Sequence, residues 1–305
     1  MFKFFRSLIF VPGNSKRFID KAETLDADVV CFDLEDSVPL NEKDTARQMI
    51  AEVLAKQNVN KKIKNVYVRI NSFESGLSSL DLSTIIQKGL DGIVIPKTDD
   101  AIEVIEIKNL ISSLEYDREI EKDSIKIMAS IESAKGVVNA FSIAKSDPRV
   151  KALVFGVFDY LYDMRLDYVD NQSIQYSYAH TKIPVDARAA GIVAIDAIWQ
   201  QVDDIEGLKK DAMIGKQLGY AGKSVVHPSQ IEPVHRVFIP SKGEIEWAKK
   251  VIEALDHALG GGEEEEEGRS KGAIKLEGKM IDAVHYKQAK AILEIAETAK
   301  GSTIA

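Results

Sequence analysis

Short apolar runs of strand length recur along the chain, each separated from the next by a longer segment with helical spacing. That alternation is the mark of βαβ units and a parallel sheet. Such runs fall at about eight places, near residues 7–11, 28–34, 65–70, 92–95, 125–131, 152–155, 192–195 and 223–226. They are apolar on both faces, as strands buried between a barrel interior and a helical layer must be. A chain of 305 residues is long for one core, yet a closed (β/α)8 barrel routinely uses about 250 residues as a single domain. The expectation is an α/β fold: a (β/α)8 TIM barrel over residues 1–240, with residues 241–305 as a small C-terminal helical arm.

The connecting segments carry helix signals. Asn14 or Ser15 can cap a first helix with Phe18, Ile19, Ala22 and Leu25 on one face, and Asn41 a second with Ala46, Met49, Ile50, Val53 and Leu54 turned inward. A helix from about Asp99 carries Ile102, Ile105 and Leu110, and another over 203–218 stops before Gly219. Pro184 predicts a kink, or two short helices, before Gly191. Beyond residue 240 the strand rhythm ends. Residues 245–259 read as an amphipathic helix, and 260–272 (GGGEEEEEGRSKG) as a solvated linker. The remainder reads as an extended piece, a turn at Gly278 and a helix from about Asp282.

Composition narrows the partners. A net charge of −8 leaves no basic surplus for nucleic acid or an acidic membrane. No apolar run approaches the roughly 20 residues of a membrane span. Arg6 interrupts the apolar start and no small-residue cleavage site follows, so no signal peptide is expected. The single cysteine, Cys31, lies in an apolar run and has no intramolecular partner, which suits a reducing cytoplasm.

In a (β/α)8 barrel the reacting groups sit at the C-terminal ends of the strands. Here those ends are crowded with polar residues: Asp33, Glu35 and Asp36, then Arg69 and Asn71, Lys97, Glu132, Asp159, Asp196 and His227. Glu132 and Asp159 follow adjacent strands, and a hard divalent cation with bound water suits two such carboxylates, Mg2+ being the simplest and Mn2+ a substitute. The alternative for either is an ordinary ion pair. With five histidines and no closely spaced pair, a His-rich zinc site is not expected. The planar fork of Arg69 suits a substrate carboxylate, or else a buried pairing with Asp33 or Glu35. His227, beside Pro228, reads either as a satisfied strand-end histidine or as a base.

Read in order, RSLIFVPG (6–13), FDLEDSV (32–38), VRIN (68–71), GIVIPK (92–97), IESAKGV (131–137), FGVFD (155–159), GKSVVHPSQI (222–231) and GKMIDA (278–283) form a specific series. The chain resembles the citrate lyase β-subunit-like proteins, which include malyl-CoA and citramalyl-CoA lyases and malyl-CoA thioesterases. The resemblance implies a carbon–carbon lyase using Mg2+ and a CoA thioester, with Glu132 and Asp159 as metal ligands. Arg69 would hold the 2-oxoacid, Glu35 and Asp36 would act through water or behind the metal ligands, and Phe10 and Lys21 would contact CoA. It further implies a homotrimer or hexamer in which the arm of a neighbouring subunit brings Asp282 to the site as acid/base. Phe158 before the metal aspartate and the segment at Met164 and Arg165 depart from the family pattern, and a phenylalanine there is expected to narrow the pocket. The stretch at 68–82 looks closer to the citramalyl-CoA branch. Three rivals stand beside this reading: a carrier-dependent citrate lyase subunit, a CoA-independent metal aldolase, and a non-catalytic binding barrel.

Overall fold

The computed structural model describes residues 5–167, 173–258 and 273–301. The chain divides into two units, Met1–Phe238 and Ile239–Ala305. In the first, eight parallel strands close into a barrel, β1 pairing with β8 and every other strand with its sequence neighbours. The strands are β1 (Ser7–Pro12), β2 (Val29–Asp33), β3 (Val66–Arg69), β4 (Gly92–Ile95), β5 (Lys126–Ile131), β6 (Val150–Phe155), β7 (Val193–Asp196) and β8 (Gly222–Val225). Between and after them run α1 (Lys16–Ala22), α2 (Lys43–Val59), α3 (Ser78–Ile85), α4 (Ala101–Asp117), α5 (Ala134–Lys145), α6 (Val157–Asp163), α7 (Ser177–Ala190), α8 (Ile205–Leu218) and α9 (Ile231–Phe238). The expected barrel is observed, with each strand close to its predicted place.

Two-sided burial explains the continuous apolar runs. Alternate residues Leu8, Val29, Cys31, Tyr67, Val94, Met128, Ala152, Val154 and Ile195 fill the barrel interior, with Phe5 packed among them. The residues between them face the helices and form the larger core. This alternation decides which strand-end side chains can reach the mouth, because neighbours along a strand point to opposite faces.

Helix faces differ in places from the sequence expectation. On α1, Ile19 and Ala22 are buried but Phe18 is exposed. α2 begins at Lys43 after a 3-10 turn at Leu40–Glu42, so Asn41 lies inside that turn and caps nothing. On α4 the buried apolar residues are Val104, Ile107 and Ile111, while Ile102 and Ile105 are exposed. Pro184 sits within one helix, α7, which ends at Gly191 in the left-handed conformation. α8 likewise ends at left-handed Gly219. The short α3 has no counterpart in the sequence expectation.

The second unit contains α10 (Lys242–Ala258), an antiparallel hairpin of β9 (Ile274–Leu276) and β10 (Lys279–Ile281), and α11 (Ala283–Gly301). Glu277 and Gly278 both have positive φ, 46° and 84°, as a two-residue hairpin turn requires. Ala248, Val251, Leu255, Ile281 and Ala289 form its small core. The anticipated Gly/Glu linker lies outside the described residues. Among the described residues, no helix is long and apolar enough to cross a membrane.

Candidate active site

Asp33 and Arg69 close β2 and β3 and are register partners, so alternation turns both into the barrel mouth. The guanidinium grips the carboxylate with two bonds: Nε donates to Oδ1 and Nη2 to Oδ2, each at 2.7 Å. Burial alone would raise the Asp33 pKa, but these bonds outweigh it and hold the carboxyl below its ordinary range. Arg69 also lies over the Phe10 ring, 4.9 Å from its centroid. With the Nε and Nη2 edge committed to Asp33 and one face to Phe10, the remaining nitrogen, Nη1, lies 3.2 Å from Glu35 Oε2. The buried pairing weighed for Arg69 therefore exists, and it fixes the guanidinium with Nη1 still directed at the mouth carboxylates.

Glu35 and Asp36 follow β2 in a loop pinned by its own backbone: Asp33 Oδ1 accepts from the Glu35 N–H and Oδ2 from the Ser37 N–H. Lys97, just past β4, donates to Glu35 Oε1 at 2.7 Å and to Asp36 Oδ1 at 3.2 Å, and stands 3.7 Å from Asp159 Oδ1. Burial raises the Glu35 pKa despite Arg69 and Lys97.

Glu132 follows β5 on the inward face, and Gly156 follows β6 opposite it. A Cβ on Gly156 would collide with Glu132 Cγ, so the glycine is what lets the glutamate lie across the mouth. Asp159 stands on the first turn of α6. Glu132 is 5% exposed; burial first, then the charges of Glu35 and Asp159, push its pKa up to about 8. Its Oε2, like Glu35 Oε2, is buried without a hydrogen-bond partner. Glu35 Oε2 still faces Arg69 Nη1 as an ion pair, which leaves Glu132 Oε2, beside the charges of Glu35 and Asp159, as the orphaned oxygen that fits a hard cation. Among the described residues no three His, Cys, Asp or Glu side chains form a ready-made metal cage. A cation held by Glu132 and Asp159 would therefore keep positions for water and substrate oxygens, as Mg2+ does.

Other strand-end residues do not join this cluster. Asp196 is turned away from the interior and bonds His180 on α7 at 2.8 Å and Lys223 on β8 at 2.9 Å. Asn71 is bound through its backbone and side chain to Asp81 on α3, both at 2.7 Å. His227 accepts from the Ser229 N–H in a capping box with Gln230. Phe158 is half-buried and packs against the core between strands and helices. Arg165 has φ 56°, a left-handed position at which glycine is at ease. Lys21 is exposed on the last turn of α1 and makes no ion pair with the carboxylate cluster. Lys97 stands at a strand end in the sequence with nothing to mark its role, because its reach to three carboxylates depends on the folded backbone.

In the second unit, Asp282 caps α11. Its Oδ1 accepts from the Val284 N–H at 2.9 Å and lies 2.7 Å from His285 Nδ1. The His285 hydrogen bond holds the Asp282 carboxyl below its ordinary range, so it is a carboxylate at neutral pH.

The model of the HpcH/HpaI aldolase/citrate lyase family matches residues 6–228. The chain is 36% identical over 293 residues to the citrate lyase subunit beta of Haemophilus influenzae, covering 96% of this chain and 97% of that protein. It is 30% identical over 294 residues to a (3S)-malyl-CoA thioesterase of Cereibacter sphaeroides, covering 96% and 95%. Among solved structures it is similar to protein CitE of Mycobacterium tuberculosis in complex with magnesium, acetoacetate and coenzyme A. That likeness has a TM-score of 0.76 and 25% identity, covering 96% of this chain and 98% of that one.

Proposed function

The chain belongs to the HpcH/HpaI aldolase/citrate lyase family, and from that membership we propose a Mg2+-dependent carbon–carbon lyase acting on a short 3-hydroxyacyl-CoA. Citramalyl-CoA and malyl-CoA are the substrates that fit the reading, giving acetyl-CoA and a 2-oxoacid, or the reverse. The observation that carries it is the buried Glu132 carboxylate, its Oε2 without a hydrogen-bond partner, beside Glu35 and an arginine already braced by Asp33. The magnesium, acetoacetate and coenzyme A bound by the similar CitE protein support the same ligand classes here.

Glu132 and Asp159 would hold the metal, which supplies Lewis-acid polarisation of the hydroxyl and carbonyl oxygens of the substrate. Arg69 Nη1 would orient the oxoacid carboxylate, a positioning effect made cheap because Asp33 and Phe10 have already fixed the guanidinium. On cleavage the hydroxyl proton passes through water to the Asp282 carboxylate, which can then return it to carbon; the oxygen becomes the carbonyl of the oxoacid, and the electron pair of the broken bond passes to the acetyl thioester as an enolate. The enolate carbon then takes a proton. In the synthetic direction the same carbon loses it, and Asp282, a carboxylate in the second unit, is the proposed acid/base. The proposal includes a homotrimer or hexamer, in which that aspartate comes from a neighbouring subunit, and CoA contacts at Phe10 and Lys21. A reducing cytoplasm is the proposed setting.

A second reading is favoured by identity: citrate lyase beta subunits stand at 36% and 35%, against 30% for the thioesterase. In that reading the thioester is carried on an acyl-carrier partner. The deciding assay presents purified protein and Mg2+ with citramalyl-CoA, malyl-CoA and a carrier-bound citryl thioester, following oxoacid and free thiol. Oxoacid without thiol from a CoA ester supports the proposal. Thiol with intact hydroxyacid makes the enzyme a thioesterase. Turnover of the carrier thioester alone gives the subunit reading.

A further inference from the structure

Lys97 is the mouth residue with a left-handed backbone, φ 48°. A non-glycine residue pays a steric cost there and keeps the conformation only where its surroundings demand it. What it reaches are three carboxylates from two parts of the chain. Glu35 and Asp36, in the loop after β2, lie 2.7 and 3.2 Å from its ammonium, and Asp159, on α6, lies 3.7 Å away. Arg69 is committed to Asp33. Its Nη1 also lies 3.2 Å from Glu35 and 3.9 Å from Asp36, whereas Asp159 has the ammonium of Lys97 as its ion-pair partner among the described residues.

A divalent cation on Glu132 and Asp159 would meet that ammonium across one carboxylate, where like charges repel strongly. Glu35 offers the ammonium its shortest bond, 2.7 Å against 3.7 Å for Asp159. Resting on the metal site proposed above, we infer that Lys97 is a built-in counter-cation: it holds Asp159 until a divalent cation displaces it. It then stays on Glu35 and keeps the loaded mouth receptive to an anionic oxoacid. The role has two opposite signs. Lys97 competes with the cation, and it favours the anion that binds afterwards. A lysine that merely fastened the loop would help both or neither.

The test titrates metal-stripped, full-length protein with Mn2+ by calorimetry, for the wild type, K97Q, K97M and K97R. Pyruvate and glyoxylate are then titrated into the Mn2+-loaded proteins. Removing a unit charge so close to the site should tighten Mn2+ binding about tenfold or more in K97Q and K97M, and weaken oxoacid binding by a similar factor. K97R, which keeps the charge, should return both affinities towards wild type. Neutral variants with a wild-type unfolding temperature and unchanged or weaker Mn2+ binding would overturn the inference while leaving the metal site standing. A wild type that binds no Mn2+ would remove the metal reading and this inference together.

Discussion

Glu132 shows how one residue can report on the whole site. Its pKa is about 8, raised first by burial and then by Glu35 and Asp159, against an ordinary value of 4.5. The folded protein therefore keeps a proton that the unfolded chain gives up. Stability of the metal-free protein should fall as pH rises from about 4.5 to about 8, by ~1.4 kcal/mol for each pH step within that window, and level off above it. Thermal unfolding between about pH 5 and pH 8 should show this slope in wild type. It should be much reduced in Glu132→Gln, which should also lose Mn2+ affinity first. Saturating Mg2+ should flatten the wild-type slope, since a bound cation favours the ionised form. For Asp282→Asn the expectation is different in kind: metal binding retained and turnover lowered about 100-fold to 10,000-fold, as for loss of a general acid/base. Turnover within a few-fold of wild type would end the assignment of Asp282.

Pairs of elements set where these residues stand. β5 and β6 run side by side, and the missing side chain at Gly156 gives Glu132 its place. Gly156→Ala should force Glu132 aside, costing about 1–3 kcal/mol of stability as overpacking does, with a disproportionate loss of Mn2+ affinity seen by titration. Behind the mouth, Lys223 on β8 is fully buried between Asp196 and Asp211, at 2.9 and 2.5 Å. Burial would raise the Asp196 pKa, but Lys223 and His180 outweigh it and hold it at about 2. Lys223→Met would strand a buried carboxylate, and about 3–5 kcal/mol of stability should be lost in denaturant unfolding. Metal affinity should change little, because this network faces the helices and not the mouth. The outward direction of Asp196 was not legible in the sequence, since all of residues 192–195 are apolar; with Val193 and Ile195 inside the closed barrel, parity along β7 sends the aspartate the other way. The faces of α4 were no clearer, since Ile102 and Ile105 fit an apolar stripe nearly as well as Val104, Ile107 and Ile111. Only the position of the barrel behind the helix chooses between them.

For the assembled molecule, the proposed sharing of Asp282 between subunits makes a distinctive prediction. Asp282→Asn and Glu132→Gln should each be inactive alone, yet mixed and reassembled they should recover part of the wild-type rate. Some mixed sites would then combine an intact mouth with an intact arm. A mixture with no more turnover than its parents would argue that each chain supplies its own acid/base.

Taken alone, the chain specified its eight strands, because residues buried on both faces leave continuous apolar runs that no helix interrupts. It also placed Arg69, Glu132 and Asp159 at strand ends, where barrel chemistry is found. It could not say which of the strand-end groups would meet. That was decided by strand register, which sets Asp33 beside Arg69, by alternation, which turns Asp196 away, and by the backbone at Lys97, whose left-handed turn carries one ammonium across two elements. Local pattern follows from each residue's neighbours in the chain. The partners of a charge depend on which strands lie side by side once the barrel has closed.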